Sequence, residues 1–467
     1  MKHNFLHQPQ QADFIHCIGI GGIGVSAIAK LLAEKGKHIS GTDVSESETI
    51  KRMRSLGIPI IVGKHHPKNI PIKTQVIVYS PAIDEKNPER MAAAKKNIPC
   101  ISYPEMIGHL MKDMVGIAIA GTHGKTTTTA IIGHILVSAR LDPTVIVGSY
   151  AKNLGDSNER LGKGNMLVVE ADEYRGSFLN YKPTVAVITT IDADHLDYYR
   201  DLNHILQTFT DFILRMQPDG VCILNADDPT TTDMLASLGD RQIITYGIHR
   251  GDVRATDINY ATNGTSFVVR DHAGFTRIES PLFGEHNVRN MLAAYACARY
   301  LGIDTAVISK CIKAFSGTWR RMDILETIHG ITIIDDYAHH PTEIRALMNG
   351  LKQKYPGKRI IIIFQPHQDD RFTKLFNDFP VAFAGATMVF LTEIFDVAGR
   401  QGKRDSSQRL VPCLEKIGIP VFFGNTFEEL RARILREAKK SDVLVFVGAG
   451  DITKLRAQVV MSLKSKK

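Results

Sequence analysis

The stretch Val115-Gly116-Ile117-Ala118-Ile119-Ala120 followed by Gly121-Thr122-His123-Gly124-Lys125-Thr126-Thr127 decides the fold of the central part of the chain. An apolar run of strand type feeds a glycine-bounded turn that opens a helix, so backbone N–H groups and a helix N-terminus face outward toward anionic oxygens. The turn is a shortened P-loop, because Gly121 precedes Gly124 by three positions where the G-x-x-x-x-G-K-[ST] pattern has five. Lys125 supplies a fixed positive charge to β- and γ-phosphates, and Thr126 a hydroxyl to Mg²⁺. The β-branched run Thr126 to Thr129 is costly inside a helix unless some of its hydroxyls are used.

A second turn, Gly19-Ile20-Gly21-Gly22-Ile23-Gly24, follows the apolar run Phe14 to Ile18. Asp43 lies 19 residues beyond Gly24, at the end of a second strand, where dinucleotide-binding folds place a ribose ligand. Taken alone this is an NAD fingerprint, yet the same turn accommodates any nucleotide diphosphate. Two phosphate-cradling turns imply two phosphorylated ligands, and hence a triphosphate coupled to chemistry on a second nucleotide. An NAD-dependent oxidoreductase fused to a P-loop domain accounts for both turns, and so does a non-catalytic nucleotide-regulated binding protein. Both leave later motifs without work.

With 467 residues the chain exceeds what one hydrophobic core serves, and it divides into about three domains. A net charge of +8 suits anionic ligands, but the basic residues are dispersed and form no stripe with interleaved aromatics, which argues against nucleic acid. Cys17, Cys100, Cys222, Cys297, Cys311 and Cys413 lack metal-type spacing and read mostly as buried thiols of a reducing compartment. No apolar run reaches the length of a membrane span and no signal-peptide pattern opens the chain, so a cytoplasmic, membrane-free protein is expected.

Strand-like runs alternate with helical patterns in three series, which predicts an α/β protein of three domains at 1–112, 113–316 and 317–467. The first and third read as Rossmann-like, the second as a P-loop ATPase-type unit. Within the second, Val253 to Ser280 alternates in character, and Asn263-Gly264 signals a hairpin turn.

Further motifs follow predicted strands, where ligands bind in such sheets. Glu170-Ala171-Asp172-Glu173 ends one strand and Asp194-His195 follows its neighbour, so a carboxylate and an imidazole there could hold a second Mg²⁺ or serve as a helix cap and a packed histidine. Trp319-Arg320-Arg321-Met322-Asp323 places paired arginines at a domain junction, suited to a γ-phosphate or to surface salt bridges. Asp335-Asp336-Tyr337-Ala338-His339-His340-Pro341-Thr342-Glu343 and Phe364-Gln365-Pro366-His367, with Arg371 behind, suit the carboxylate of a small zwitterion.

Together with His286-Asn287-Val288-Arg289-Asn290, these motifs, in this order over nearly the whole chain, resemble the Mur ligases of peptidoglycan synthesis. The Gly-Ile-Gly-Gly-Ile-Gly start and Phe-Gln-Pro-His are most similar to the branch that adds L-alanine to UDP-N-acetylmuramate. The neighbouring branch, which attaches a whole tripeptide to the same sugar nucleotide in recycling, is the alternative. The resemblance implies ATP-dependent amide synthesis through an acyl phosphate, with ATP and two Mg²⁺ ions, for which Mn²⁺ can substitute, in a monomer or homodimer. It assigns Gly121, Thr122, His123, Gly124, Lys125, Thr126, Thr127, Asn290, Arg321 and Asp336 to ATP, and Lys125, His195 and Arg321 to catalysis. It gives Thr126, Glu170 and His195 to the metal, and Gly21, Gly22, Asp43, His65 and Ser80 to the UDP-sugar. Tyr337, His339, His367 and Arg371 fall to the amino acid. Gln368 stands where this branch usually carries arginine, which leaves alanine, serine and glycine open as acceptors. Asp192 occupies a position where glutamate is expected, and the segment Asn203 to Leu214 holds no lysine, as in the alanine-adding branch.

Overall fold

The computed structural model describes residue 5, residues 8–395 and residues 405–465. Its strands form three sheets. The first comprises β1 (Phe14–Ile18), β2 (His38–Asp43), β3 (Ile60–Val62), β4 (Val76–Tyr79) and β5 (Cys100–Ser102), in the order β3-β2-β1-β4-β5 and parallel throughout. Strand order reverses between β1 and β4, so the carboxyl ends of these strands open a crevice beside the first glycine turn.

The second sheet has ten strands: β6 (Val115–Ala120), β7 (Thr144–Ala151), β8 (Ser157–Arg160), β9 (Met166–Glu170), β10 (Val185–Ile188), β11 (Val221–Asn225), β12 (Gln242–Gly247), β13 (Val253–Ala261), β14 (Gly264–Asp271) and β15 (Gly274–Ser280). β6 lies at its centre between β9 and β10, which brings Glu170 and the residues after Ile188 to the rim of the phosphate loop. β13, β14 and β15 form the expected antiparallel excursion at one edge. Its first hairpin turns one residue earlier than the Asn-Gly signal suggests: Thr262 and Asn263 form the loop, and Gly264 pairs with Ala261 as the first strand residue.

The third sheet, β16 (Asp323–Ile328), β17 (Ile331–Asp336), β18 (Ile360–Phe364), β19 (Met388–Leu391), β20 (Val421–Phe423) and β21 (Val443–Val447), runs β16-β17-β21-β18-β19-β20 and is parallel except for the edge strand β16. Alternation along β17 buries Asp335 against Arg320 and Arg456, while Asp336 turns toward a cavity on the side of the central unit.

The apolar cores divide unevenly. One cluster runs from Ile15 and Val78 through Met106, Ile107 and Met111 to Phe178, Tyr181 and Phe209, so the first unit and one face of the central sheet share a core. Gly108 abuts the Asn180 carbonyl so closely that a Cβ there would collide with it. The third unit keeps its own two clusters around β17, β18 and β21. Among the described residues, no helix is long and apolar enough to cross a membrane.

Candidate active site

The turn expected to cradle phosphate has the glycine geometry its sequence suggests. Gly121 and Gly124 have φ of +127° and +86°, the left-handed region, and a Cβ would collide with the Thr189 hydroxyl at the first and with Asn290 Oδ1 at the second. The helix Lys125–Ser138 starts directly at the turn. Lys125 Nζ donates to the Gly121 carbonyl at 2.5 Å and pairs with Glu173 Oε2 at 2.8 Å. Burial works against its charge, but Glu173, Asp172 and Glu170 outweigh it and raise the lysine's pKa, so the ammonium is permanent. Thr126 Oγ1 donates to Glu170 at 2.9 Å, and the Gly148 N–H donates to the same carboxylate at 2.7 Å.

Two cavities meet at this loop. The larger, about 630 Å³, is lined by Gly124, Thr126, Thr127, Asn290, Arg321 and Asp336, together with Tyr246, His286 and Arg289. It has the size and mixed lining of a nucleotide pocket. Asn290 is oriented by the Asn287 side chain, which accepts from its Nδ2 at 3.2 Å. Burial raises Asp336 to about 6, even though the Met322 and Ala338 N–H groups donate to it. The second cavity, about 390 Å³, lies where the three units meet. Gly24 and Tyr103 line it from the first unit, Thr122, Lys125, Glu170 and His195 from the second, and Arg321, Tyr337, His339, His367, Gln368 and Arg371 from the third.

The paired arginines have separate fates. Arg320, with φ +57°, is buried on Asp335 and the Gly448 carbonyl, a structural ion pair. Arg321, unlike its neighbour, lines both cavities, with its NH1 3.6 Å from Glu343 Oε1. Glu343, the last residue of the Asp335 to Glu343 motif, joins three parts of the site. It accepts from the His339 N–H at 3.0 Å and meets His123 Nδ1 at 3.3 Å as well as Arg321. Burial opposes its ionisation, but His339, His123 and Arg321 hold its pKa well below the carboxylate range. His123, whose other ring nitrogen lies 3.2 Å from Asp192, is raised to about 9 because its two carboxylate partners overcome burial. Burial lowers His339 to about 4; its Nδ1 lies 2.9 Å from the Tyr337 carbonyl, so the ring is neutral with Nδ1–H as the donor.

The residues expected to hold metal fall into two groups. Thr126 and Glu170 touch one another, whereas His195 lies 3.9 Å from Glu173 and forms with Asp172 and Glu173 a set whose donor atoms fall within 4.8 Å. Glu173 Oε1 and His195 Nδ1 are buried without a hydrogen-bond partner. A hard divalent cation fits this carboxylate and imidazole set. His195 itself has φ +52°, a conformation that costs a non-glycine residue on the order of 1 kcal/mol. A second candidate set, His123, Asp192 and His340, is satisfied internally: His340 Nδ1 accepts from the Thr342 N–H, and the Thr342 hydroxyl donates to Asp192 at 2.7 Å. The Asp192 carboxylate is thereby held below its ordinary pKa despite burial.

Among the residues expected to take the amino acid, the His339 and His367 rings are 5.7 Å apart and His367 stacks on Phe395 at 5.6 Å. Arg371 is committed to Asp194, with Nε at 3.0 Å and NH2 at 3.2 Å from the two carboxylate oxygens. In the first unit, Asp43 Oδ2 accepts from the Gly21 N–H at 2.8 Å, so it secures the glycine turn. His65 is drawn to the buried Glu89 at 3.3 Å, and Ser80 follows β4 with its N–H on the Ile18 carbonyl. Glu89 was missed; it also accepts from Thr42 and Asn69 and fastens the segment that carries His65.

Comparison with known proteins agrees with this arrangement. Three family models match in series: "Mur ligase family, catalytic domain" at residues 14–114, "Mur ligase middle domain" at 119–298 and "Mur ligase, glutamate ligase domain" at 320–450. The UDP-N-acetylmuramate–L-alanine ligase of Clostridium tetani is 39% identical over 443 residues, covering 94% of this chain and 96% of that one. The crystal structure of a UDP-N-acetylmuramate–alanine ligase from Thermotoga maritima superposes with a TM-score of 0.81 at 30% identity, covering 97% of this chain and all of the other. A murein peptide ligase from Psychrobacter arcticus shares the fold, with a TM-score of 0.71 at 22% identity over 98% of this chain and all of that one. With all three domain models in order and relatives of this identity along nearly its full length, the chain belongs to the Mur ligase family.

Proposed function

We propose that this Mur ligase joins L-alanine to the lactyl carboxylate of UDP-N-acetylmuramate at the expense of ATP, giving UDP-N-acetylmuramoyl-L-alanine, ADP and phosphate. The observation that carries the reading is the 390 Å³ cavity in which Gly24, Lys125, Glu170, His195, Arg321, His339 and His367 from three units face one space. Relatives of 37–39% identity are named for this reaction.

A carboxylate is a poor acceptor for an amine, so the route runs through an acyl phosphate. The lactyl oxygen attacks the γ-phosphorus and ADP departs; the amine nitrogen of L-alanine then attacks the acyl carbon, phosphate leaves, and the nitrogen loses its proton. Two anions must approach in the first step, and Lys125 and Arg321 supply fixed cations for it. Gly121, Thr122, His123, Gly124, Thr126 and Thr127 cradle the triphosphate, Asn290 meets adenine and Asp336 the ribose. Thr126, Glu170 and His195, with Glu173 beside them, would hold Mg²⁺, which when bound neutralises the approaching anions. Gly21, Gly22, Asp43, His65 and Ser80 take the UDP portion. Tyr337, His339, His367 and Arg371 take the amino acid.

The proposal places the functional divisions at 1–112, 113–316 and 317–467, in accord with the three sheets. It also includes action as a monomer or homodimer in the cytoplasm, consistent with six free cysteines. The test is phosphate release from ATP and Mg²⁺ with UDP-N-acetylmuramate, comparing L-alanine, L-serine, glycine and the tripeptide. Release driven by L-alanine is expected; release with the tripeptide alone would move the chain to the recycling branch.

A further inference from the structure

The loop after β10 runs Asp192-Ala193-Asp194-His195-Leu196, and the third unit grips it on both sides of His195. The Thr342 hydroxyl donates to Asp192 at 2.7 Å, and His340 Nε2 lies 3.4 Å from the Ala193 carbonyl. Arg371 closes on both oxygens of Asp194, and Lys374 Nζ donates to the Leu196 carbonyl at 2.8 Å. Asp194 Oδ1 in turn accepts from the backbone N–H of His195 at 2.7 Å. A continuous path therefore leads from the Arg371 guanidinium through a carboxylate to the peptide that sets the His195 backbone at φ +52°. Arg371 is buried and the Asp194 side chain is only 11% exposed, so little of either charge is left to solvent. Within its own unit the loop is tied at its start, where the Asp192 N–H donates to Thr122 and the Ile191 N–H to Asp228, and again at the His195 carbonyl, which accepts from the Tyr198 and Tyr199 N–H groups; the His195 N–H, in contrast, is held by the Asp194 carboxylate that Arg371 grips.

We infer that Arg371 and Asp194 are positioning residues for His195. The docked third unit completes the restraint on the left-handed backbone that aims the imidazole at Glu173, fixing its N–H side while Tyr198 and Tyr199 hold its carbonyl, so the cation subsite at His195 is complete only when that unit is in place. The inference rests on the proposed reading of His195 as a metal ligand and deepens it. It also gives Arg371 a function that is exercised before any amino acid arrives. Surface ion pairs contribute little, but a buried bidentate pair fixes geometry as well as charge.

The test is a Mn²⁺ titration of the full chain, read as free Mn²⁺ by electron paramagnetic resonance. UDP-N-acetylmuramate and β,γ-imido-ATP are present and L-alanine is left out. The unaltered protein should bind two Mn²⁺, and His195→Ala only one. Arg371→Met and Asp194→Asn should each weaken the second Mn²⁺ at least tenfold while the first Mn²⁺ and UDP-sugar affinity are unchanged. If Arg371→Met fails to fold, Asp194→Asn carries the test, being nearly isosteric. Two Mn²⁺ at unaltered affinity in both variants, with only one in His195→Ala, would overturn the positioning role and confine Arg371 to the amino acid. Two Mn²⁺ in His195→Ala would instead overturn the reading of His195 as a ligand, and the inference with it.

Discussion

Lys125 sits between the loop carbonyl that it braces and the buried carboxylate of Glu173, and both relations carry consequences. As a γ-phosphate cation it is needed only while charge develops, so Lys125→Ala should lower turnover at least about a hundredfold while UDP-sugar binding persists. Loss of sugar-nucleotide binding, measured by calorimetric titration, would contradict its assignment. Glu89 provides a second test, remote from the chemistry. It is fully buried, and although burial opposes its charge, the His16 imidazole 3.5 Å away and hydrogen bonds from Thr42 and Asn69 bring it down to about 2 from an ordinary value of 4.5. A depressed carboxylate contributes stability above its unfolded pKa and loses it as pH falls through the folded one, here a contribution of about 3 kcal/mol that fades between 4.5 and about 2. Glu89→Gln should therefore melt well below the unaltered protein at pH 7, and the gap should narrow below pH 4.5; an equal gap at pH 7 and pH 3 would contradict this.

The helix Lys125–Ser138 shows how function and stability compete within one element. Of its four consecutive threonines, Thr126 uses its hydroxyl on Glu170, whereas the hydroxyls of Thr128 and Thr129 are buried without a partner. Thr129→Val, which keeps the shape and removes the unsatisfied hydroxyl, should stabilise the protein by about 1 kcal/mol in thermal denaturation, and a clear loss would show that the hydroxyl is used. Most of the elements could be read from the chain because their strands are apolar runs bounded by turn residues, as at Phe14–Ile18, Val115–Ala120 and Val443–Val447. β8 escaped because Ser157–Arg160 is a four-residue polar edge strand, and β16 because Asp323–Ile328 overlaps the arginine motif. β3 is only three residues long. The glycine turn after β6 and the strand-end carboxylates were legible because each follows a strand directly. What could not be read was pairing across units: nothing local reveals that Asp194 and Arg371, 177 residues apart, will meet, or that Arg320 will turn away from its neighbour's task.

At the scale of the molecule, the joints between the three units differ in kind. The first two units share an apolar core, and Gly108 lets their backbones touch. The third meets the second through polar contacts, His123 with Glu343, Thr342 with Asp192 and Arg371 with Asp194, and through the short segment in which Thr318 bridges Ala151. Apolar burial is non-directional and hard to separate, whereas hydrogen-bonded contacts exchange readily with water. On the proposed reading, docking of the third unit is the movable step, which would deliver Arg321, Asp336 and the amino-acid pocket to a nucleotide and sugar held by the other two. The account stands on a carboxylate being phosphorylated in the cavity where the units meet. That is tested most directly by supplying UDP-N-acetylmuramate labelled with ¹⁸O in its lactyl carboxylate, together with ATP, Mg²⁺ and L-alanine, and weighing the products. One ¹⁸O should appear in the released phosphate and one should remain in the new amide of the alanyl product. Phosphate free of label, or formed without an alanyl product, would contradict the account.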